Sequence, residues 1–358
     1  IDDFSKKIPV YKGKVRFYKE ELVDAVKHGM DSMTIRQVFA LSSNVGTATM
    51  VQQFYGDTRK SANFLQHLKD FGLDLPTNVE VGGEELPVIK NPNDPKTDWS
   101  GTTLPWMSIG YELLLTPLQL LQFYNAVAND GRMMRPYLVQ RVERYGKPIR
   151  EFKPETIKRN IANKRTIAKA QELLRAVVEE GTAENIRSGL YPIAGKTGTT
   201  QLNYHKFKSH AGIRHQAGFC GFFPANNPKY SCIVVISEPR QAGFHGADVA
   251  APVFRRIADQ CFALKSGLQP AVNERPALPL VSATMPFKDA GRKDELSYAM
   301  QWLKLTGFDQ ATGADYAVLM PRNDSLMVQS RLVSDKLVPS VVGMGLKDAV
   351  YLLENRGC

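Results

Sequence analysis

Nowhere in the 358 residues does an apolar run approach the roughly 18 to 20 residues that a membrane-spanning helix needs, and the residues from Ile1 onward lack the pattern of a signal peptide. Any membrane anchor is therefore expected outside these residues. Cysteine is scarce. Cys220, Cys232, Cys261 and Cys358 include no C-x-x-C pair, which argues against zinc and thioredoxin-type chemistry. Cys220 and Cys232 lie in apolar, strand-like runs, where buried free thiols are the expectation and a cross-strand disulfide is the alternative. Acidic residues are in deficit, 36 against 46 Lys and Arg, for a net charge of +10. Much of the excess sits between Arg135 and Lys169, where eleven basic residues face only Glu143, Glu151 and Glu155. Few aromatics interleave there and no nucleic-acid motif is present, so the stretch reads as a solvated basic face toward an anionic polymer or lipid surface.

What is present describes a folded chain. Hydrophobic residues make up 43% and charged residues 23%, which suits a globular protein with one large domain and something smaller. Helical periodicity runs from Thr34 to Leu41, with Ile35, Val38 and Phe39 on one face, and resumes after Asn44 through Met50, Val51 and Phe54. Ser42-Ser43-Asn44 falls on the break. Asp57 to Phe71 reads as an amphipathic helix burying Phe64, Leu65, Leu68 and Phe71, with Gly72 as its stop. Residues 74–104 read as a long loop. Thr116-Pro117-Leu118-Gln119 is a capping box with proline at the first helical position, and its helix ends at Asn129-Asp130-Gly131. Short strands and turns follow over 136–162, then a helix from Ile167 to Glu180 stopped by Gly181. Tyr191–Thr200, Gln216–Phe223 and Tyr230–Glu238 are strand-like, the last two joined by the turn at 224–228. Ala250 to Leu264 is helical with Val253, Phe254, Ile257 and Ala258 as its predicted face. Helices, then a strand meander, then a closing helix predict an α+β fold with helices on an antiparallel sheet.

Pro270, Pro276, Pro279 and Pro286 mark a linker. Beyond it, Leu296, Ala299, Met300, Leu303 and Gly307 recur fifty residues later as Leu346, Ala349, Val350, Leu353 and Gly357, a weak internal repeat.

The stretch Ala194-Gly195-Lys196-Thr197-Gly198-Thr199-Thr200 has two readings. As the tail of a phosphate-binding G-x-x-x-x-G-K-[ST] loop it fails, because the first glycine would fall on Leu190 and no helix opener follows Thr197. As the K-T-G strand of serine acyltransferases that act on D-alanyl peptides and β-lactams, it supplies a cation, hydroxyls for a substrate carboxylate and an unobstructed backbone edge. Ser42-Ser43-Asn44 taken alone is a helix cap. Upstream of K-T-G and between helices, it matches the S-x-N element of the same enzymes.

With Trp106-Met107-Ser108-Ile109-Gly110, Gly181-Thr182-Ala183, Phe219 to Pro224 and Ala250-Ala251-Pro252-Val253-Phe254 following in order, residues 30–262 resemble the transpeptidase domain of class B penicillin-binding proteins. Val338-Pro339-Ser340-Val341-Val342-Gly343-Met344 resembles the first half of a PASTA module. The resemblance implies the penicillin-binding, serine β-lactamase-like fold over 1–264, a linker over 265–282, a degenerate PASTA-like module over 283–331 and a truncated one over 332–358. It implies peptidoglycan cross-linking through an acyl-enzyme, stem peptides ending in D-Ala-D-Ala and β-lactams as ligands, division or elongation machinery as partners, and no cofactor. The place would be the extracytoplasmic side of the inner membrane. By the same resemblance Ser42 relays a proton to the leaving amine, Asn44 holds the substrate amide, and Lys196 supplies positive potential and orders Ser42. Thr197 and Thr199 bind the terminal carboxylate or its β-lactam counterpart, Gly198 between them belongs to the same substrate-binding strand, and the Thr199 N–H lies in the oxyanion hole.

Two features depart from that pattern. The nucleophile of this family is the serine of S-x-x-K, yet no serine here has lysine three residues on. These residues are therefore expected to be inactive alone and to come from a longer protein, a non-catalytic scaffold or a carboxypeptidase or β-lactamase of the same fold being the alternatives. Glu112 stands near a position where family members often have glycine. His205, His210 and His215, spaced by five in a Lys-rich segment, suit a basic loop over the cleft better than a metal site.

Overall fold

Along the N-terminal part of the chain run helices α1 (Ile35–Ala40), α2 (Asn44–Tyr55), α3 (Thr58–Asp70), α4 (Thr103–Met107), α5 (Pro117–Ala128), α6 (Lys164–Glu180) and α7 (Gly246–Leu264). Two of them start on reciprocal caps. At α5 the Thr116 hydroxyl accepts from the Gln119 N–H at 3.2 Å while the Gln119 carboxamide oxygen accepts from the Thr116 N–H at 2.8 Å, the box expected there. Thr34 and Gln37 make the same exchange at α1, at 3.1 and 2.9 Å. Each box satisfies two N–H groups that a helix start otherwise leaves bare. This computed structural model describes residues 3–202, 214–240, 243–265, 268, 289–310, 313–322, 325–331 and 338–355. Contacts divide the chain into two units, Ile1–Gln269 and Pro270–Cys358.

The first unit is built on a three-stranded antiparallel sheet in the order Ala194–Leu202, Arg214–Phe223, Tyr230–Ser237. Alternation on the central strand sorts its aromatics. Phe219 and Phe223 face Phe254 of α7, with ring centroids 4.7 and 5.7 Å away. Phe222 faces the other way, packing with Ala126 and Val127 of α5 and Leu174 of α6. Helix α6 contributes to both sides, since Val177 and Val178 join the α7 cluster. The expected helices on an antiparallel sheet are therefore present, with the sheet buried on both faces.

Several sequence expectations shift. Helix α7 begins at Gly246, four residues before the predicted start. Its buried residues are Ala250, Ala251, Phe254, Ala258 and Phe262, whereas Val253 is 40% exposed and Ile257 37%. Small Ala250 and Ala251 set the contact because the helix start sits hard against the sheet, which leaves the larger Val253 and Ile257 outward. Phe54 of α2 is likewise exposed, and α2 buries Val45, Gly46 and Ala48 instead. No cross-strand disulfide joins Cys220 and Cys232: both are free, and in register Cys220 faces Ile233 while Cys232 faces Gly221. Cys358, His205 and His210 lie outside the described residues. Glu112 takes φ +63°, the left-handed backbone that explains why glycine suits that position. Its carboxylate forms an ion pair with Lys90.

In the second unit the strands Asp289–Arg292, Tyr316–Arg322, Ser325–Ser330 and Gly307–Asp309 form one sheet in that order, antiparallel except for the last pair. Helices α8 (Lys293–Trp302) and α9 (Leu346–Glu354) occupy the two copies of the fifty-residue repeat. They do not bury equivalent positions. Met300 is in the core of α8, but its counterpart Val350 is 43% exposed and α9 buries Leu352.

Candidate active site

Helix α1 ends in a Schellman motif, the Ser42 N–H donating to Phe39 O at 3.2 Å and the Ser43 N–H to Val38 O at 2.9 Å. The left-handed residue of that motif, normally glycine, is Ser42 at φ +55°. A side chain is thereby held at a strained turn between two helices. Ser43 then caps α2, its hydroxyl accepting from the Gly46 N–H at 3.0 Å. The capping account of the serine pair is thus correct for Ser43, and Ser42 is the serine left for chemistry.

Buried Asp24, which sequence reasoning passed over, fixes this turn. Its Oδ2 accepts from the Ser43 hydroxyl and its Oδ1 from the Val45 N–H, both at 2.9 Å. Asn44 donates through Nδ2 to Val23 O at 3.3 Å, so its side-chain oxygen is the group left to accept from a ligand N–H.

The opposite wall is the Ala194–Leu202 strand, which among the described residues is an edge strand with one side open. Lys196 Nζ donates to Ser42 Oγ at 2.7 Å and to Thr197 O at 3.2 Å. Burial pushes the Lys196 ammonium down from 10.5 to about 8. A second link joins the walls. Gly181 passes so close to α1 that a Cβ there would lie 2.2 Å from Ala40 O, and the Thr182 N–H donates to that same carbonyl at 3.0 Å. The Thr182 hydroxyl lies 2.7 Å from that of Thr197. Thr182, in the Gly181-Thr182-Ala183 stretch, thereby ties the end of α1 to the Ala194–Leu202 strand. At the far end, Thr199 Oγ1 accepts from the Gly246 N–H at 3.0 Å, which leaves the threonine hydrogen to donate outward.

Between these walls lies a cleft of about 310 Å³ lined by Asp24, His28, Ser42, Asn44, Thr182, Thr197, Thr199, His245 and Asp248 among others. Ser42, Asn44, Thr197 and Thr199 thus line one cleft, and Lys196 joins them through its bond to Ser42. Gly198 is paired to Gly218 in the sheet, and α7 approaches so closely that a Cβ on Gly246 would lie 2.3 Å from Gly218 O and 2.6 Å from Gly198 O. His245, at the turn into α7, and Asp248 carry no motif that the sequence alone could have flagged. His215 stacks on Phe244, with ring centroids 4.3 Å apart. Burial, and then the neighbouring charge of His245, lowers its pKa. Among the described residues no cluster of His, Cys, Asp and Glu is arranged to hold a metal ion.

Comparison with known proteins matches residues 4–259 to the family model described as penicillin binding protein transpeptidase domain. Penicillin-binding protein PbpB of Mycolicibacterium smegmatis is 32% identical over 245 residues, 66% of this chain and 36% of that protein. Peptidoglycan D,D-transpeptidase FtsI of Buchnera aphidicola subsp. Schizaphis graminum is 28% identical over 242 residues, 67% of this chain and 38% of that protein. The chain thus spans little more than a third of the length of these two relatives. Among solved structures, penicillin binding protein 3 from Mycobacterium tuberculosis complexed with aztreonam superposes with a TM-score of 0.60 at 30% identity, over 75% of this chain and 59% of that one.

Proposed function

Because the chain belongs to the penicillin-binding protein transpeptidase family, we propose that it supplies two walls of the active site of a class B peptidoglycan D,D-transpeptidase. The observation that carries this reading is the 2.7 Å contact of Lys196 Nζ with Ser42 Oγ, across 154 residues of sequence. The third wall is a serine and lysine spaced as S-x-x-K, which these residues do not contain. In the proposed reaction that serine attacks the penultimate D-Ala carbonyl of a stem peptide, the C–N bond to the last D-Ala breaks, and the amine of a neighbouring stem resolves the ester.

The residues of this chain position and move protons. The Ser42 hydroxyl, held by Lys196, passes a proton to the departing D-Ala nitrogen. The free oxygen of Asn44 accepts from a substrate amide N–H. The hydroxyls of Thr197 and Thr199, the latter already accepting from Gly246, donate to the terminal carboxylate beside the Lys196 charge. The Thr199 N–H donates to the developing oxyanion. The donor stem lies along the open edge of the Ala194–Leu202 strand, as an added strand would.

β-Lactams, which imitate the D-Ala-D-Ala terminus, are the expected inhibitors, and the aztreonam complex of the tuberculosis relative supports this. The C-terminal unit is read as PASTA-like, which favours a division role and division machinery as partners, with an anchor in the inner membrane and this domain on its outer side. The lack of S-x-x-K within these residues supports one second reading, a non-catalytic scaffold.

The test is labelling with a fluorescent penicillin. A form extended to include a serine–lysine pair is expected to be labelled, and Lys196→Ala or Ser42→Ala in it to slow labelling by about 100-fold or more. The 358-residue chain alone is expected to stay unlabelled. Covalent labelling of that chain would overturn the assignment of the nucleophile, and an extended form that is never labelled would favour the scaffold.

A further inference from the structure

Residues 134–154 carry exposed groups that the cleft does not use. Among the described residues, the strands Arg141–Arg144 and Lys147–Glu151 pair only with each other, and every residue in them is exposed. Such a ribbon is marginal on its own and leaves backbone N–H and C=O groups open along both outer edges. Tyr145 at its turn is 93% exposed, and Val142 and Ile149 are exposed with it. Arg135 is paired with Glu155 and Arg141 with Glu143. Among the described residues, Arg144, Lys147, Arg150 and Lys153 have no carboxylate partner; Arg144 lies over the Tyr145 ring and Arg150 over that of Phe152.

The stems of this hairpin open onto a groove of about 610 Å³ beside α5, lined by Leu118, Leu121, Met134, Tyr137, Pro154 and Lys229 among others. Two of its polar side chains are tied into the fold: Gln122 donates to Met134 O at 3.0 Å and Asn125 to the Ser231 hydroxyl at 3.0 Å. What the groove offers a ligand is the apolar surface of Leu118, Leu121, Met134 and Tyr137, with the cations Lys229 and Arg135 in the same lining.

We propose that this face docks an extended, acidic segment of a partner protein. An apolar side chain of the segment fills the groove, its carboxylates lie along Arg144, Lys147 and Arg150, and its backbone adds to an open edge of the hairpin. Charge complementarity sets the acidity, since unpaired cations on an exposed ribbon gain from carboxylates that steer and orient a partner. The groove selects a polypeptide. A lipid headgroup surface would meet the hairpin tip and leave the concavity at its stem empty, and a phosphate polymer has no apolar side chain to place there. The inference does not rest on the transpeptidase reading, because none of these residues lines the cleft.

The experiment uses the 358-residue chain and fluorescence anisotropy of a labelled peptide of alternating glutamate and leucine. A second peptide has serine in place of leucine, and phosphatidylglycerol vesicles serve in a sedimentation assay. The first peptide is expected to bind, with affinity falling ~10-fold or more in R144E/K147E/R150E, whose exposed positions leave the melting temperature unchanged. The serine peptide is expected to bind ~10-fold more weakly, and Leu118→Ser with Tyr137→Ser to erase that difference. No binding of the first peptide, or binding indifferent to the charge reversal, overturns the proposal. Equal binding of the two peptides overturns the role of the groove. Vesicle binding lost on charge reversal, without peptide binding, assigns the face to a membrane instead.

Discussion

Lys196 Nζ lies 2.7 Å from Ser42 Oγ, and Ser42 occupies the left-handed position of a Schellman motif at φ +55°. The two facts belong together. A non-glycine residue in that conformation costs about 1 kcal/mol, and here the cost places a hydroxyl on the lysine. Ser42→Gly is therefore expected to raise stability by ~0.5–1 kcal/mol in urea unfolding while removing the hydroxyl that Lys196 holds. A loss of stability in Ser42→Gly would mean that the Lys196 contact outweighs the backbone strain.

Lys196 has a pH signature whose sign follows from burial. Its pKa is pushed down to about 8 from an ordinary 10.5 by desolvation. Below pH 8 both the folded and unfolded chains hold the proton, and the full burial penalty applies. Between the two values the unfolded chain binds a proton that the folded chain does not, so this group makes stability rise with pH across that window. In Lys196→Met that rise disappears. Carbon-13 labelling of lysine side chains is expected to show one lysine titrating near 8 apart from the rest, and a Lys196 signal that moves only above pH 10 would refute the desolvated site.

Much of this site was legible because its chemistry is local in sequence. Lys196, Thr197 and Thr199 sit on one strand, Ser42 and Asn44 on one turn, and the capping box at Thr116 fixes α5 from four residues. What escaped depends on contacts between distant segments. Asp24 is a lone carboxylate in an ordinary stretch, and only the fold brings it under Ser43. Thr182 matters through Thr197 and through Ala40 O, which no periodicity reveals. On α7 apolar spacing finds Phe254 and Ala258, which are buried, but it also favours Val253 and Ile257, whereas close approach to the sheet selects Ala250 and Ala251.

Asp24 gives a stability prediction. Two donors, the Ser43 hydroxyl and the Val45 N–H, depend on its carboxylate in a buried place. Asp24→Ala strands both, and a destabilisation of about 2–4 kcal/mol is expected in urea unfolding. Asp24→Asn keeps an acceptor oxygen and should recover part of that loss. A cost below about 0.5 kcal/mol for the alanine variant would show that the turn holds without it.

Cys220 offers a test of the sheet's interior. It is buried, and desolvation first, then the charge of Cys232, raises its pKa well above the ordinary thiol value. A thiol that cannot ionise is a poor nucleophile. Under native conditions Cys220 should therefore react with a disulfide reagent only on the timescale of unfolding, and mass spectrometry of labelled peptides would find it unmodified while a small-molecule thiol added as a control is consumed. Rapid native labelling of Cys220 would contradict the packing of the central strand between α5 and α7.

Gly246 joins the fold to the site, and Gly246→Ala separates the two. The added methyl group would meet Gly218 O at 2.3 Å and Gly198 O at 2.6 Å. Both are backbone atoms of paired strands and cannot swing aside as a side chain could, so α7 must move. Overpacking of this kind costs ~1–3 kcal/mol, and the movement pulls the Gly246 N–H away from Thr199 Oγ1, now 3.0 Å apart. The Thr199 hydroxyl then loses the donor that points its own hydrogen into the cleft. Two readouts should change together: the unfolding midpoint falls, and the Thr199 amide resonance on the adjoining strand shifts. In a form carrying the serine–lysine pair, penicillin labelling should slow more than global stability explains, since the protein stays folded at the assay temperature. If labelling is unchanged while stability drops, the α7 contact holds the fold alone and Thr199 needs no help to meet a carboxylate.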